Sequence, residues 1–383
     1  MSRVYLDHNA TSPLRLEARE AMLAALALPG NASSVHAEGR AARAMIEDAR
    51  EGMAAFLGCA PRQIVFTSGG TEANVMALSP DWLEGSGPKQ AFISAVEHPS
   101  VLRGGRFALD QIETLPVDSS GIVDLEAARR RFAAWQEESA GCPFLVSIML
   151  ANNETGVIQP VAQLAELAHA FGGMVHSDAV QAFGKEPLDA AVRAADLLTI
   201  AAHKVGGPKG VGALVVLRDG LPLAAMLKGG GQEFGYRAGT ENIAAIAGFG
   251  AIAGSANPRW SHIQAMRDRL EAKAAEIAPE LTAFSRDARR LPNTSCFAVP
   301  GMSAETLLIA LDLEGIAVSA GSACSSGKVA RSHVLDAMGV PPELGAAAIR
   351  VSLGWSTTEE DVERFIAAWS RVYGRFAERR RAA

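Results

Sequence analysis

Short apolar runs alternate with helical patterns from about residue 60 to residue 218, and this alternation constrains the fold more than any other feature of the sequence. The runs are rich in β-branched and aromatic residues; they are 64–67, 91–96, 144–150, 173–180, 197–201 and 211–217. Between them, stretches such as 125–138 and 161–171 have apolar residues three and four positions apart, as amphipathic helices do. Strands that alternate with helices predict a mostly parallel sheet with helices on both faces.

The chain has 383 residues, which is enough for two domains. The pattern changes near residue 257, and the elements beyond it are two helical stretches and two short strands. They are 260–277, 295–299, 304–313 and 349–353. We therefore expect a large α/β domain over 13–256 and a smaller α+β domain formed by 1–12 and 257–383.

Charge and composition exclude several classes of protein. The 36 basic and 42 acidic residues give a net charge of −6 without long like-charge runs, which disfavours a nucleic-acid-binding surface. The N-terminus becomes polar by Asp7, and no apolar stretch is long enough for a spanning helix, so we expect a cytoplasmic protein that does not bind membranes. Four cysteines without a C-x-x-C pair predict free thiols and no zinc site.

Polar clusters follow the apolar runs at their carboxyl ends. They are 68–72 (SGGTE), 97–99 (EHP), 152–154 (NNE), 177–181 (SDAVQ) and 203–204 (HK). Ligands of parallel sheets bind beyond the carboxyl ends of the strands, so these clusters predict an active site along one edge of the sheet.

Three of these clusters point to specific chemistry. The segment 68–74 predicts a strand-to-helix turn whose free N–H groups could cradle a phosphate, although an ordinary turn also fits; it lacks the spacing of dinucleotide and ATP motifs. Lys204 follows a buried run and is a candidate amine nucleophile, the alternative being a surface lysine. Asp178 ends a strand, and its carboxylate could either cap a helix or form part of a ligand site. A lysine, an anion cradle and a carboxylate together are what pyridoxal phosphate requires.

The ordered motifs of the chain resemble those of group I, NifS-like cysteine desulfurases, which belong to the class V aminotransferase family of pyridoxal-phosphate enzymes. The motifs run nearly from end to end: YLDHNATSP, NASSVHAEGRAA, FTSGGTEAN, EHPS, ANNETGV, HSDAVQAFGK, AHKVGGPKG, GGGQEFGYRAGTEN, SAGSACSSGK and IRVSLGWSTTEED. The resemblance implies pyridoxal-phosphate fold type I and a homodimer.

The resemblance also assigns roles to individual residues. Lys204 would bind the cofactor covalently, Asp178 would pair with its pyridine nitrogen, Gln181 would bond its phenolic oxygen, and His98 would stack on the ring and shuttle protons. The residues implied to hold the cofactor are Gly70, Thr71, His98, Asn153, Asp178, Gln181, His203, Lys204 and, from the neighbouring subunit, Thr240. Asn153 and Arg350 would bind the substrate, with Arg350 on its carboxylate.

Cys324 is the candidate catalytic thiol because it lies in a loop of small residues, 319–327, that makes few packing demands. Cys59, Cys142 and Cys296 are interpreted as structural. The resemblance implies that L-cysteine becomes alanine, that its sulfur forms a persulfide on Cys324, and that an acceptor such as an iron–sulfur scaffold receives it. No resident metal is expected, although the Cys324 thiolate could ligate a cluster transiently.

Two alternatives stay open. One is another class V enzyme, a selenocysteine lyase or an aminotransferase, and the other is a noncatalytic sulfur-binding scaffold. The sequence also departs from the family pattern at a few positions: Ala201 replaces a serine that bonds the phosphate, Phe234 an arginine, Arg331 a proline, and Ala32 a proline. These changes bear on cofactor affinity and loop behaviour rather than on the reaction.

Overall fold

The computed structural model of the chain describes residues 3–82, 87–253, 260–320 and 331–382. The strands are β1 Val4–Tyr5, β2 Ile64–Thr67, β3 Gln90–Ser94, β4 Ile112–Leu115, β5 Phe144–Ser147, β6 Met174–Asp178, β7 Leu197–Ala201, β8 Gly212–Val216, β9 Thr282–Ala283, β10 Thr294–Ala298, β11 Ile316–Ala317, β12 Ser319–Ala320 and β13 Ile349–Ser352. The helices are α1 Leu16–Leu26, α2 Ala37–Leu57, α3 Gly70–Ala77, α4 Pro99–Leu102, α5 Leu125–Glu138, α6 Val161–Ala170, α7 Asp189–Ala194, α8 Ile243–Ala253, α9 Trp260–Ile277, α10 Ala304–Leu313, α11 His333–Ala337, α12 Pro342–Gly345 and α13 Glu359–Ala382.

Seven strands form the large sheet, in the order β2-β8-β7-β6-β5-β3-β4. Strand β8 runs antiparallel to both of its neighbours, and the other pairs are parallel. The strands from β5 to β8 are buried along their whole length, which explains why the sequence shows them as continuous apolar runs. The predicted mostly parallel sheet is confirmed.

Strand β4 was not among the predicted strands. It lies at the edge of the large sheet and is only partly buried, and its sequence IETL places Glu113 and Thr114 among the apolar residues. A half-exposed edge strand does not need a continuous apolar run, so the pattern that revealed the central strands is missing here.

The predicted helices 125–138, 260–277 and 304–313 are confirmed as α5, α9 and α10. Helix α5 begins where Asp124 accepts hydrogen bonds from the backbone N–H groups of Glu126 and Ala127. Helix α6 ends at Ala170, one residue before the predicted end. Several predicted apolar runs are longer than the strands that they contain. The reason is that the chain stays buried in the loop after the strand, as at 148–150 after β5.

A second, four-stranded sheet has the antiparallel order β12-β13-β10-β9, and β1 pairs in parallel with β11 beside it. The apolar cluster that packs with this sheet contains three aromatic rings in contact, those of Phe297, Phe365 and Trp369. The N-terminal strand therefore packs with the C-terminal part of the chain. The predicted boundary at residue 256 lies among residues 254–259, outside the described residues, and the division into two domains stays a prediction.

None of the helices in the described part of the chain combines the length and the apolar character needed to cross a bilayer.

Candidate active site

A cavity of about 420 Å³ lies at the carboxyl edge of the large sheet and brings together most of the predicted site residues. Those that line it are Gly70, Thr71, His98, Asn153, Asp178, Gln181, His203, Lys204 and Arg350. Thr240 is exposed and does not line this cavity within one chain. Cys324 lies in 321–330, outside the described residues.

Asp178 is the last residue of β6, and both oxygens of its carboxylate are fixed. Asn74 Nδ2 donates to Asp178 Oδ2 at 2.7 Å, and the backbone N–H of Val180 donates to Oδ1 at 2.9 Å. The side chain is buried. A carboxylate held on both oxygens keeps one orientation toward the cavity and accepts a cationic partner without rearrangement.

Helix α3 starts at Gly70 and points its N-terminus into the cavity region. A Cβ at Gly70 would lie 2.9 Å from Val180 Cγ2. The absence of a side chain therefore lets the start of the helix lie close to Val180. The N–H groups in the first turn of a helix have no intrahelical acceptor, and the helix dipole adds positive potential there. The eight-residue helix α3 thus places its first residues, Gly70 and Thr71, in the lining of the cavity, where the predicted anion cradle would lie.

His203 stands on the same side of the cavity. Its Nδ1 lies 3.3 Å from Thr11 Oγ1. Burial, and then the nearby Lys204, lower the pKa of His203 to about 4, so the ring is neutral near pH 7. A neutral imidazole can donate one N–H to an anion without adding charge.

Lys204 follows β7 in a single 3₁₀ turn, 202–204, and is half-buried. Its Nζ donates to the backbone oxygens of Asn9 at 2.7 Å and Ala10 at 3.0 Å. The amine thus lies against the N-terminal segment inside the cavity, and not at the outer surface as the alternative interpretation required.

His98 caps the N-terminus of α4 and is tied to Asp178 through two side chains. The backbone N–H of Ser100 donates to His98 Nδ1 at 3.1 Å, and Ser100 Oγ lies 2.7 Å from the same nitrogen. Asn74 Nδ2 donates to Ser100 Oγ as well as to Asp178. Burial lowers the pKa of His98, Asp178 opposes that effect, and Lys204 and His333 add to it. Because Nδ1 accepts, Nε2 is the ring atom left for proton exchange.

Arg350 comes from β13 in the four-stranded sheet and is only 4% exposed, which rules out a surface charge. Its NH2 group donates to Asp7 Oδ1 at 2.8 Å, and NH1 donates to the backbone oxygen of Asn153 at 2.9 Å. Its buried Nε has no partner among the described residues. The guanidinium is thus held in place while it keeps N–H groups for a carboxylate ligand.

Sequence reasoning assigned no role to Asp7, Asn9, Asn74 and Ser100, although all four line the cavity. Asp7, Asn9 and Asn74 belong to the quoted motifs YLDHNATSP and FTSGGTEAN. The motifs marked the segments as related to the family, but nothing in their spacing indicates which cavity residue each side chain contacts.

The three described cysteines are free thiols, as expected. Cys296 is fully buried in β10, and burial raises its pKa; burial also raises the pKa of the half-buried Cys59 to about 11. Both fit a structural interpretation. Cys142 is exposed, so the same interpretation is wrong for it: the turn before β5 leaves its side chain at the surface rather than in the core.

Among the departures, Ala201 lines the cavity, whereas Phe234 is half-exposed and lies with its ring centroid 4.9 Å from the Arg50 guanidinium. Arg50 is itself buried and paired with Glu233 at 2.8 Å. Phe234 therefore covers a buried ion pair at a distance from the cavity residues.

The sequence pattern of the family Aminotransferase class-V matches residues 4–365. The chain is 41% identical to a cysteine desulfurase from Sinorhizobium fredii over 99% of both chains. The chain belongs to the cysteine desulfurases of the class-V aminotransferase family. Their fold is also seen in the solved NifS-like protein from Rickettsia africae, with a TM-score of 0.87 and 35% identity over 97% of this chain and 99% of that one.

A second solved relative, SspA in complex with cysteine, superimposes with a TM-score of 0.75 at 29% identity and covers 91% of this chain and 98% of its own. For this cysteine desulfurase, the predicted family, the fold-type-I α/β architecture and the class of enzyme are therefore confirmed.

Proposed function

We propose that this cysteine desulfurase converts L-cysteine to L-alanine with pyridoxal phosphate bound in the cavity, and that Cys324 accepts the sulfur as a persulfide. The observation that carries the proposal is the convergence of Lys204, Asp178 and the start of α3 on one cavity. These are an amine, a fixed carboxylate and an anion cradle, which are the three groups that this cofactor needs.

The cavity residues fit the cofactor on grounds of their own chemistry. A volume of about 420 Å³ lies within the range of small-molecule sites. Gly70, Thr71 and the neutral His203 offer N–H and O–H donors for a phosphate. Asp178 offers a negative charge for a protonated pyridine nitrogen, and Asn74 orients that carboxylate. Gln181 and Asn153 would complete the set of contacts. Bound there, the cofactor supplies an electron sink for the substrate Cα.

Proton transfer is the task of Lys204 and His98. Lys204 lies in the cavity with its amine against backbone oxygens, so it could both bind the cofactor and accept a proton from the substrate. His98 is neutral near pH 7 because burial lowers its pKa, and its Nε2 is available to exchange a proton.

Arg350 would bind the α-carboxylate of cysteine. It is buried and preorganised by Asp7 and the Asn153 carbonyl, so little conformational entropy is lost when a carboxylate binds. The solved relative named as a complex with cysteine supports an amino acid of this kind as the substrate.

The sulfur leaves through Cys324, whose persulfide would pass its terminal sulfur to an acceptor protein such as an iron–sulfur scaffold. We also propose a cytoplasmic homodimer in which Thr240 of one subunit completes the phosphate site of the other. This proposal is supported by the exposure of Thr240, which does not line the cavity of its own chain and so is accessible to a second subunit.

Two thiol variants test the proposal. The pyridoxal-phosphate-loaded protein should form alanine from cysteine, and mass spectrometry should find the persulfide on Cys324. An added thiol reductant, which is oxidised to its disulfide, should then release the outer sulfur as sulfide. Cys324→Ser should keep the cofactor bound to Lys204 and lose the persulfide and the sulfide. Cys142→Ser is the control because its thiol is exposed but lies outside the motif that contains Cys324.

Loss of sulfide in Cys142→Ser with a stable fold would overturn the choice of thiol. A keto acid in place of alanine would indicate an aminotransferase, and turnover of selenocysteine alone would indicate a selenocysteine lyase. A protein that never binds the cofactor would be a scaffold.

A further inference from the structure

Lys185 is a fully buried lysine behind the cavity that the proposed reaction does not use. Its Nζ donates to Asn9 Oδ1 and to Gln181 Oε1, both at 3.0 Å, and the residue is 3% exposed. Within the ranges that the structure describes, no carboxylate pairs with it. Burial of a lysine without a counter-ion costs folding free energy, and its hydrogen bonds to Asn9 and Gln181 offset part of this cost.

The hydrogen bonds of Lys185 match those of an uncharged amine. A neutral –NH₂ group has two N–H bonds, and both are used here, whereas an ammonium would bring a third donor. Burial lowers the pKa of Lys185 well below its ordinary value, and the nearby Lys204 and Arg350 lower it further. Lys185 therefore directs two N–H donors at Asn9 and Gln181, and its burial disfavours the charged form.

These donors fix the orientation of one cavity residue in particular. Gln181 Oε1 accepts from Lys185, while Gln181 Nε2 donates to the backbone oxygen of Asn9 at 2.9 Å. The second N–H of Nε2 is then the polar group that Gln181 can offer to a ligand. With the amide reversed, the oxygen would occupy that position instead.

The position of the Asn9 side chain depends less on Lys185 than that of Gln181 does. Its Oδ1 also accepts from Asn293 Nδ2 at 3.0 Å, and its Nδ2 donates to Thr294 Oγ1 at 2.9 Å. Gln181 Oε1 has no donor other than Lys185 in the described part of the chain. Removing the lysine should therefore leave the Gln181 amide held only at Nε2, by the backbone oxygen of Asn9, while Asn9 itself stays in place.

We propose that Lys185 is a positioning residue that fixes the Gln181 amide so that an N–H donor, and not a carbonyl oxygen, faces an anionic oxygen of the bound ligand. The inference rests on the proposed function, in which that oxygen is the phenolic oxygen of pyridoxal phosphate. A donor stabilises the more negative, deprotonated form of the lysine-bound cofactor, and an opposed carbonyl destabilises it.

The test is a double-mutant cycle read by absorption spectroscopy. Lys185→Met, Gln181→Ala and the double variant are loaded with pyridoxal phosphate, and the visible band of the lysine-bound cofactor is titrated with pH. Lys185→Met should raise the midpoint of this titration by about one pH unit. In the Gln181→Ala background the same change should move the midpoint by less than about 0.3 units, because the residue through which Lys185 acts is gone.

Several controls separate positioning from other roles. Lys273→Met removes an exposed lysine and should leave the midpoint unchanged. Thermal unfolding of the cofactor-free proteins reports folding; if Lys185→Met does not fold, Lys185→Gln, which keeps an N–H donor, replaces it and should shift the midpoint less than Gln181→Ala does. An equal shift with and without Gln181 would mean that Lys185 acts through its charge and would overturn the inference.

The same experiment also distinguishes a failure of this inference from a failure of the proposed function on which it rests. A cofactor band that is present in the unsubstituted protein and unmoved by Lys185→Met overturns the role of Lys185 alone. The absence of any lysine-bound band in the unsubstituted protein overturns the proposed function, and the inference with it.

Discussion

The large sheet contributes to the cavity mainly with residues at or just after its strand ends, such as Asp178 and Lys204, whereas the four-stranded sheet contributes Arg350 from inside β13. The backbone positions of the first group follow from local structure: a helix start, a 3₁₀ turn, a strand end. Arg350 has no such local mark, and its side chain is held by Asp7, from the N-terminal segment, and by the Asn153 backbone. The strand ends thus mark where the first group lies in the sequence, whereas the contacts that orient the side chains come from distant segments in both groups.

Removal of Lys204 should have the largest effect. Lys204→Ala removes the amine that binds the cofactor and transfers the proton, so alanine formation should fall to background and borohydride should no longer fix the cofactor to the protein. The control is Lys209→Ala, which changes an exposed lysine in the following turn. A borohydride-stable linkage that persists in Lys204→Ala would move the role to another lysine.

Removal of Arg350 should lower kcat/KM for cysteine by about two to three and a half decades. The loss of one partner of a buried charge pair costs about 3 to 5 kcal/mol, and about 1.4 kcal/mol corresponds to a factor of ten. Steady-state kinetics of Arg350→Ala measure the effect. Asp7→Asn, which keeps the arginine but weakens its support, should lose less, and a change below threefold in Arg350→Ala would contradict the assignment.

Glu154 tests a contact between the two regions. It follows β5, is buried, and accepts a hydrogen bond from Ser332 Oγ, next to α11, at 2.6 Å. Burial raises its pKa to about 7, although the Ser332 bond and Arg350 act against it. The folded state therefore binds this proton more tightly than the unfolded state. Its contribution to stability is complete below about pH 4.5 and is lost as the pH rises to about 7.

Glu154→Gln removes this titration. From pH 5 to pH 8, the unfolding free energy of the variant relative to the unsubstituted protein should therefore rise by about 2 kcal/mol in urea denaturation. Glu276→Gln, at an exposed helix position, should show no such trend. A difference that stays flat between the two pH values would mean that Glu154 is charged in the folded protein.

The smallest expected change concerns Ala201. A serine there would add a hydroxyl donor beside Gly70 and should tighten cofactor binding by about tenfold. Thr199 does not supply this donor because its hydroxyl lies 3.0 Å from His176 Nε2, whereas its methyl group is the atom near Gly70. Dissociation is measured by dilution of the loaded protein into a cofactor scavenger. An unchanged or faster off-rate in Ala201→Ser would show that the phosphate is bonded by other groups.

The sequence by itself determined the central strands, three helix extents and the cluster of polar residues at one edge of the sheet. Apolar periodicity records burial along a single element, and polar residues directly after buried strands record where those elements end. Such information is local, so it could place Lys204, Asp178 and His98 at that edge before any coordinates, and the bond between Lys204 and the cofactor stays a prediction. It could not reveal β4, because an edge strand lacks the continuous burial on which the pattern depends.

Only the tertiary structure decided which groups touch. Asn74 joins Asp178 to Ser100, Asp7 supports Arg350, and Lys185 bonds both Asn9 and Gln181. Asp7 and Arg350 are separated by 343 positions, and Asn9 and Lys185 by 176. Contacts between segments so far apart leave no periodic signal in a single sequence. They arise because the buried polar atoms left by packing the sheets together must find partners, and the packing determines which atoms those are.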